Sequence, residues 1–131
     1  MIVTVKTRKR TQLVDITEEI RQAVASVSDI RDGWCLLYVP HTTAAVTINE
    51  SADPAVRADI AAMLDKLIPW AAGYRHLEGN SAAHIKSTLV GASEMVAIEG
   101  GHPVLGTWQG IFFCEFDGPR TRKIHVRVYG R

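Results

Sequence analysis

The stretch GWCLLYVPHTTAAVTINE, residues 33–50, decides the fold, because it contains two apolar strand-like runs separated by Pro40, His41 and Thr42. WCLLYV is almost continuously apolar, as expected of a strand covered on both faces, and TAAVTI resumes strand character. We therefore predict two buried strands with a histidine at their junction. Loops on a rigid scaffold often carry function, so this junction is a candidate site.

Helices and strands alternate irregularly on either side of this stretch. We predict an edge strand over Ile2–Arg10 and a helix from Thr17 to about Val27. A second helix runs from Pro54 to about Leu67, and a short third helix covers about Ala83 to Val90. The last third of the chain is β-rich. This order predicts a single α+β domain spanning the chain, with roughly six strands and three short helices.

Two helices carry apolar side chains at helical spacing, which predicts that these side chains face the core. Between them, residues 71–83 have two glycines and no usable period, and this longest irregular stretch is predicted to be the site loop. The second helix carries Val56, Ile60, Met63, Leu64 and Leu67, and the third carries Ile85 and Leu89.

Composition bounds the class of protein. The chain has 131 residues, 47% of them hydrophobic, so one domain can bury a core without a disulfide or a structural metal. Fifteen Lys and Arg against fourteen Asp and Glu are far from the strongly basic balance that phosphate-backbone binding usually requires, so we expect no nucleic-acid partner. The sequence has neither a membrane-spanning apolar run nor a signal-like start, so we expect a cytoplasmic protein without a membrane partner. Cys35 and Cys114 lie in apolar strands and are predicted to be buried free thiols.

The sequence lacks the common phosphate-loop, dinucleotide, hydrolase and zincin motifs. Polar residues are instead concentrated where the predicted elements end. Neutral imidazoles suit zinc, but three unrelated histidines that cap or solvate loops would give the same pattern, and both interpretations stay open on spacing alone. The polar residues at element ends are His41, Thr42, Thr43, Asn49, Glu50, Asp53, His76, Glu78, Asn80 and His84.

Further residues could bind an anion. Lys86, Ser87, Arg120 and Arg122 offer positive charge and hydrogen bonds, although ordinary surface charge explains such residues equally well. Gln109 lies in the run GTWQG, where two glycines weaken a strand unless a neighbouring group, a ligand or another subunit approaches closely.

Four segments together resemble the YjbQ-like family, often labelled secondary thiamine-phosphate synthase. They are HTTAAVTINESADPAVRAD, HLEGNSAAHIKSTLVG, LGTWQGIFFCEFDGPR and RKIHVRVYG. The family's HTTAA motif falls on residues 41–45, its H-x-EGN motif on 76–80 and its AHIK motif on 83–86. The resemblance implies one YjbQ-like domain over residues 1–131, with a mixed β-sandwich-like sheet, assembled as a homotrimer with sites near subunit boundaries.

The same resemblance implies a site and a reaction. A divalent metal, zinc or else magnesium with a pyrophosphate substrate, would be held by His41, His76 and His84. The TINE motif would bring Asn49 and Glu50, with Asp53, near that metal as orienting or basic groups. The residues that would bind the anionic groups of the substrates are Thr42, Asn80, Lys86, Ser87, Gln109, Arg120 and Arg122.

The implied reaction couples a pyrimidine pyrophosphate to a thiazole phosphate, which releases pyrophosphate and forms thiamine phosphate. Two alternatives remain. A three-histidine metal site with an open position could instead hydrolyse a phosphoester or an amide. A non-catalytic trimeric module could bind a phosphorylated metabolite. Substitution of Glu50 separates a catalyst from a binder, since only a catalyst loses turnover while affinity is retained.

Overall fold

The computed structural model describes all residues from Met1 to Arg131 and confirms the α+β class, with eight strands and three helices. The strands are β1 Ile2–Lys6, β2 Gln12–Asp15, β3 Gly33–Tyr38, β4 Ala44–Glu50, β5 Ser93–Glu99, β6 His102–Pro103, β7 Gln109–Glu115 and β8 Thr121–Gly130. The helices are α1 Thr17–Ala25, α2 Pro54–Leu67 and α3 Ser81–Val90.

The strands form two antiparallel sheets, one of five strands in the order β1-β8-β3-β5-β6 and one of three in the order β2-β7-β4. Every pairing is antiparallel, so neither is the mixed sheet that the resemblance implies. The two strands predicted within residues 33–50 exist, but β3 and β4 lie in different sheets. The junction that carries His41 therefore crosses from one sheet to the other.

The main core lies between the two sheets and includes Leu37, Val46 and Phe113. The first helix, α1, contributes Ile20 and Val24 to this core. A second cluster, centred on Phe112, Cys114 and Ala83, fills the space between the other face of the three-stranded sheet and helices α2 and α3. Both cysteines are buried and unpaired, as predicted.

Local signals set the ends of α2, and its apolar face is only partly in the core. The helix begins at Pro54 after Asp53, whose Oδ1 accepts the Ala55 N–H at 2.9 Å, and it ends at Leu67 as predicted. None of its residues is buried, and Met63 and Leu67 are 51% and 68% exposed. The predicted core-facing stripe is therefore right in part: Ile60 and Leu64 pack on the second cluster, whereas Met63 and Leu67 meet solvent.

The third helix, α3, also faces differently from the prediction. It buries Ala82, Ala83, Lys86 and Ser87, whereas Ile85 and Leu89 are exposed. Small alanines allow the helix backbone to approach the sheet closely, and this close packing overrides the larger apolar side chains. The five-stranded sheet, for its part, exposes large side chains on its outer face. No helix is long and apolar enough to cross a membrane.

Candidate functional site

A cavity of about 360 Å³ lies where the β3–β4 connection meets α3. We call it the histidine cleft, because an imidazole from each segment lines it. Its lining consists of His41, Thr42, Ala44, His84, Ser87, Thr88, Gly91 and Ala92. The fold thus brings the junction that was predicted from the sequence next to a helix that begins more than 30 residues later in the chain.

Ser87 is the most informative residue of the cleft. Its Oγ is buried, yet it has no hydrogen-bond partner. Buried hydroxyl groups are nearly always paired with protein or with water, so an unpaired one next to a cavity marks a place for a water or for a ligand oxygen. Ser87 lines the same cavity as His41 and His84, which makes the cleft a candidate site for a polar group.

The ring of His41 is fixed by the protein itself. Its Nε2 accepts the backbone N–H of Lys123 at 3.0 Å. Burial, together with the positive charge of Arg122, holds the pKa of His41 below its ordinary value. A neutral ring whose Nε2 accepts a hydrogen bond carries its proton on Nδ1, so His41 has one further donor to offer.

The third predicted histidine, His76, lies on the α2–α3 connection and is exposed. Its ring centroid is 5.4 Å from that of His84, in an edge-on arrangement. Its Nε2 is 3.8 Å from the nearer carboxylate oxygen of Glu78. The structure therefore brings the three histidines to the same region of the molecule, with His84 between the other two as their shared neighbour.

The histidines suit a divalent metal in kind, since imidazole nitrogen is a preferred zinc ligand. As placed in one chain, no group of three His, Cys, Asp or Glu side chains is arranged to hold an ion. The Nε2 of His41 is also engaged by Lys123. Ligation through that nitrogen requires the ring to release the backbone hydrogen bond.

A buried ion pair lies beside the cleft. The Arg122 Nε donates to the Glu115 Oε1 at 2.9 Å, and its Nη2 donates to the Thr43 hydroxyl at 2.8 Å. Burial alone raises the pKa of Glu115, but hydrogen bonds from Arg122 and Thr7 outweigh it and hold the pKa below its ordinary value. Arg122 was predicted to bind an anion, but the structure uses its guanidinium to join the two sheets.

Lys86 is likewise unavailable to a ligand in this structure. Its side chain is 1% exposed and pairs with Asp65 of α2, which is 51% exposed. The Lys86 Nζ also lies 5.9 Å from the Phe116 ring centroid. The predicted anion-binding cation therefore connects α3 to α2, because burial of the ammonium requires a partner of opposite charge.

A series of hydrogen bonds joins Asn80, Asp117 and Arg120 at the same end of the molecule. The Asn80 Nδ2 donates to the Asp117 Oδ2 at 2.9 Å, and the Arg120 Nη2 lies 3.0 Å from the same oxygen. The Asn80 Oδ1 is buried without a partner. The Arg120 side chain remains half exposed, so among the predicted cations it alone keeps donors near solvent.

The predicted catalytic residues Asn49, Glu50 and Asp53 lie elsewhere. In the β4–β7 register, Ala44 is opposite Glu115 and Glu50 is opposite Gln109. The six steps between Ala44 and Glu50 span about 20 Å. Within one chain, the structure therefore does not bring the TINE motif to the histidines, and Gln109 of β7, opposite Glu50, is equally far from them.

Polar side chains at this far end serve the local backbone. The Asn49 Oδ1 accepts the Glu50 N–H at 2.7 Å, and the Gln109 Oε1 accepts the Gly106 N–H at 2.8 Å. The glycine at position 110 is explained by a close approach, as expected: a Cβ there would lie 2.6 Å from the Ser51 Cβ. Asp53 caps α2, as described above.

Sequence reasoning missed Glu115, Asp117 and Asp65, which fix the cations at the histidine end. Glu115 did leave a signal, because a lone charge within the apolar run IFFCEF implies a buried partner. The partners of Lys86 and Asn80 lie 21 and 37 positions away in sequence, and no local pattern points to them.

Known proteins resemble this chain over its whole length. The sequence matches the family described as UPF0047 protein YjbQ-like over residues 1–131. The UPF0047 protein MJ1081 of Methanocaldococcus jannaschii is 57% identical, with 96% of this chain and 91% of the relative covered. The UPF0047 protein YugU of Bacillus subtilis is 51% identical, with 96% of each covered.

Solved structures agree with this relationship. A Clostridium acetobutylicum protein described as an uncharacterized conserved protein of the yjbq/upf0047 family superposes with a TM-score of 0.94 at 49% identity, with 98% of this chain and 99% of that chain covered. The hypothetical protein APE1520 of Aeropyrum pernix also has a TM-score of 0.94, at 37% identity, with 100% and 98% covered.

Proposed function

Because the chain belongs to the YjbQ-like UPF0047 family, we propose that it is an enzyme acting on a phosphorylated small molecule bound in the histidine cleft. The observation that carries this proposal is the unpaired, buried Ser87 hydroxyl beside two imidazoles. The Ser87 O–H and the His41 Nδ1–H are donors, and a phosphate oxygen is an acceptor that fits both.

The reaction we propose joins a pyrimidine pyrophosphate to a thiazole phosphate and forms thiamine phosphate. Pyrophosphate leaves with the electron pair of the bond that breaks, so positive charge near it assists the step. Arg120 would bind this leaving group, with Asn80 positioning the arginine through Asp117. Ser87 and His84 would hold the phosphate of the acceptor, and Thr42 lines the same cavity.

Turnover with the two phosphorylated substrates tests this assignment. Ser87→Ala should reduce kcat/KM by about tenfold or more, since the variant lacks a charge-assisted hydrogen bond. Ser93→Ala, which changes an exposed serine at the start of β5, is the matched control and should retain full turnover. Absence of thiamine phosphate in the wild type would reject the synthase reaction, and release of inorganic phosphate instead would favour the hydrolase alternative.

A divalent ion, zinc or magnesium, belongs to the same proposal. His76 and His84 would hold it, joined by His41 once that ring leaves Lys123. When bound, such an ion would neutralise charge on a leaving pyrophosphate or generate a nucleophilic water.

Elemental analysis of untagged protein purified without chelators tests the ion directly. We expect about one divalent ion per chain, lost in a His41→Ala/His84→Ala double variant and retained in His102→Ala. If the wild type binds no ion even after exposure to excess zinc, the metal is rejected and anion binding by the cleft remains.

The competing function is a binding module without catalysis. It is favoured by one observation, that no carboxylate lines the cleft of a single chain. Glu50→Gln separates the two functions: a catalyst that uses Glu50 as base loses turnover and keeps substrate affinity. Unchanged turnover would remove Glu50 from the mechanism, and binding without any turnover would favour the module.

We further propose a cytoplasmic homotrimer. The exposed apolar side chains of α2, among them Met63 and Leu67, support subunit contacts, since isolated chains rarely expose such surface. A neighbouring chain could also bring its Glu50 to the histidine cleft, so the two predicted sets of residues would meet between subunits. Sedimentation should give a trimer for the wild type and smaller species for Leu67→Glu.

The cytoplasmic location is supported by the two unpaired thiols, which fit a reducing compartment.

A further inference from the structure

The outer face of the five-stranded sheet exposes a group of large side chains that the histidine cleft does not use. Trp34 is 38% exposed, Tyr129 is 48% and Met95 is 62%. Helices α2 and α3 pack on the other sheet, so they leave this face open. We call it the aromatic face. It is defined by Trp34, Leu36 and Tyr38 of β3 and by His125, Arg127 and Tyr129 of β8.

Rings on this face form two neighbouring pairs on the adjacent strands β3 and β8. Trp34 is opposite Tyr129, and their rings stack with centroids 4.6 Å apart. Tyr38 is opposite His125, with centroids 6.2 Å apart and tilted planes. The two pairs are separated along the strands by four residues, or about 13 Å. Arg127 lies midway between them, opposite Leu36.

Charge on the aromatic face is one-sided. Strand alternation places Lys6, Lys123 and Arg127 on it, and one carboxylate, Glu99, at the end of β5. The chain as a whole carries only +1, so this face is more positive than the rest. Two copies packed face to face would bring these cations together, which opposes an isologous contact through this surface, and the trimer contacts proposed above are assigned to α2 instead. An anionic partner is complementary to it.

We propose that the aromatic face binds single-stranded nucleic acid. Unpaired bases expose flat faces that stack on aromatic side chains, and Arg127 and Lys123 can neutralise the phosphates that join them. In a duplex the base faces are stacked inside the helix and cannot contact these rings. The net charge of this protein is also too small to bind the phosphates of a duplex strongly. The expectation of no nucleic-acid partner rested on the net charge of the whole chain, whereas this proposal rests on the charge and the rings of one face. The proposal does not depend on the function of the histidine cleft.

Fluorescence anisotropy with fluorescein-labelled oligo-dT and oligo-U at low salt tests the proposal. The wild type should bind at least one of them, and tighter binding of oligo-U would assign RNA as the ligand. Trp34→Ala and Tyr38→Ala should each weaken binding about fivefold or more. Arg127→Glu should weaken binding and reduce its salt dependence. The matched controls are Trp108→Ala, an exposed ring off the face, and Arg21→Glu on α1.

Three results would overturn the proposal: no binding of either oligomer, full affinity in both aromatic variants, or equal loss in Arg21→Glu. Sedimentation of the same variants supplies a fourth, because a wild-type oligomer that dissociates in Tyr38→Ala or Arg127→Glu would identify a second copy as the occupant. Tyr38 and Arg127 are exposed, so thermal unfolding of their variants should be close to that of the wild type. Trp34 is 38% exposed and stacks on Tyr129, so Trp34→Ala should unfold at a lower temperature, and its binding is measured well below that temperature. Titration of the wild type with oligo-U should quench Trp fluorescence, and the quenching should be retained in Trp108→Ala. This measurement requires no substitution on the aromatic face.

Discussion

The two ends of β4 carry similar polar side chains but use them differently. At the histidine end, Ser87 keeps an unpaired hydroxyl and His41 keeps a free Nδ1 donor, above the buried Arg122–Glu115 pair. At the far end, Asn49 and Gln109 accept backbone N–H groups of their own turns. The candidate site is thus distinguished by polar groups that the fold leaves unsatisfied, and not by the number of polar residues at a strand end.

Substitution of Glu115 should give the largest difference between the two ends. Glu115→Ala leaves Arg122 charged and unpaired in the core, and we expect a loss of about 3–5 kcal/mol in the free energy of unfolding. Glu50→Ala, at the far end, should change it by less than about 0.5 kcal/mol. Urea unfolding measures both variants. Similar losses of unfolding free energy in the two variants would contradict the distinction between the buried ion pair at the histidine end and the polar side chains at the far end.

Asp53 offers a smaller test of the far end. Asp53→Ala removes the cap of α2 and should cost about 1 kcal/mol of stability, while Asp53→Asn should cost much less, because asparagine caps equally well. Substrate turnover should follow the amount of folded protein in both variants. Loss of turnover in fully folded Asp53→Asn would instead give this carboxylate a chemical role.

Acid should weaken the histidine end through Glu115. Its pKa is lower in the folded protein than in the unfolded chain, so the unfolded chain takes up the proton first as the pH falls. The stabilisation is complete above the unfolded value, about 4.3, and is lost as the pH falls through the lower folded value. Urea midpoints measured across this range should show a steeper decline for the wild type than for Glu115→Gln. Parallel curves would contradict the assignment.

The state of His41 is the finest test of the comparison. Nitrogen NMR of the labelled protein should show a neutral ring protonated on Nδ1 at neutral pH, with a midpoint below about 6.5. The His41→Ala spectrum identifies the signal. A proton on Nε2 would mean that the hydrogen bond from the Lys123 N–H is absent in solution and that the His41 ring has a different orientation.

Sequence predicted those features that depend on neighbours along the chain. The ends of α2 follow from Asp53 and Pro54, and the histidine at the β3–β4 junction follows from the two apolar runs beside it. The orientation of α3 did not follow, because close packing of Ala82 and Ala83 outweighs two larger apolar residues.

Roles at the site were harder to predict than positions. Polar side chains that bond their own turn and polar side chains that the fold leaves unpaired look alike in the sequence. Gln109 and Ser87 illustrate this, since only tertiary contacts show that the first is satisfied and the second is not. The pairing of Lys86 with Asp65 likewise joins two helices and leaves no trace in either helix alone.

The Glu115–Arg122 pair also constrains how this sequence can evolve. Loss of either partner alone strands a charge between the sheets, whereas replacement of both by apolar residues of similar size is often neutral. Single-step paths away from the pair therefore pass through an unstable intermediate. Lineages that share this architecture should keep both residues or exchange both, so the two positions are inherited as one unit.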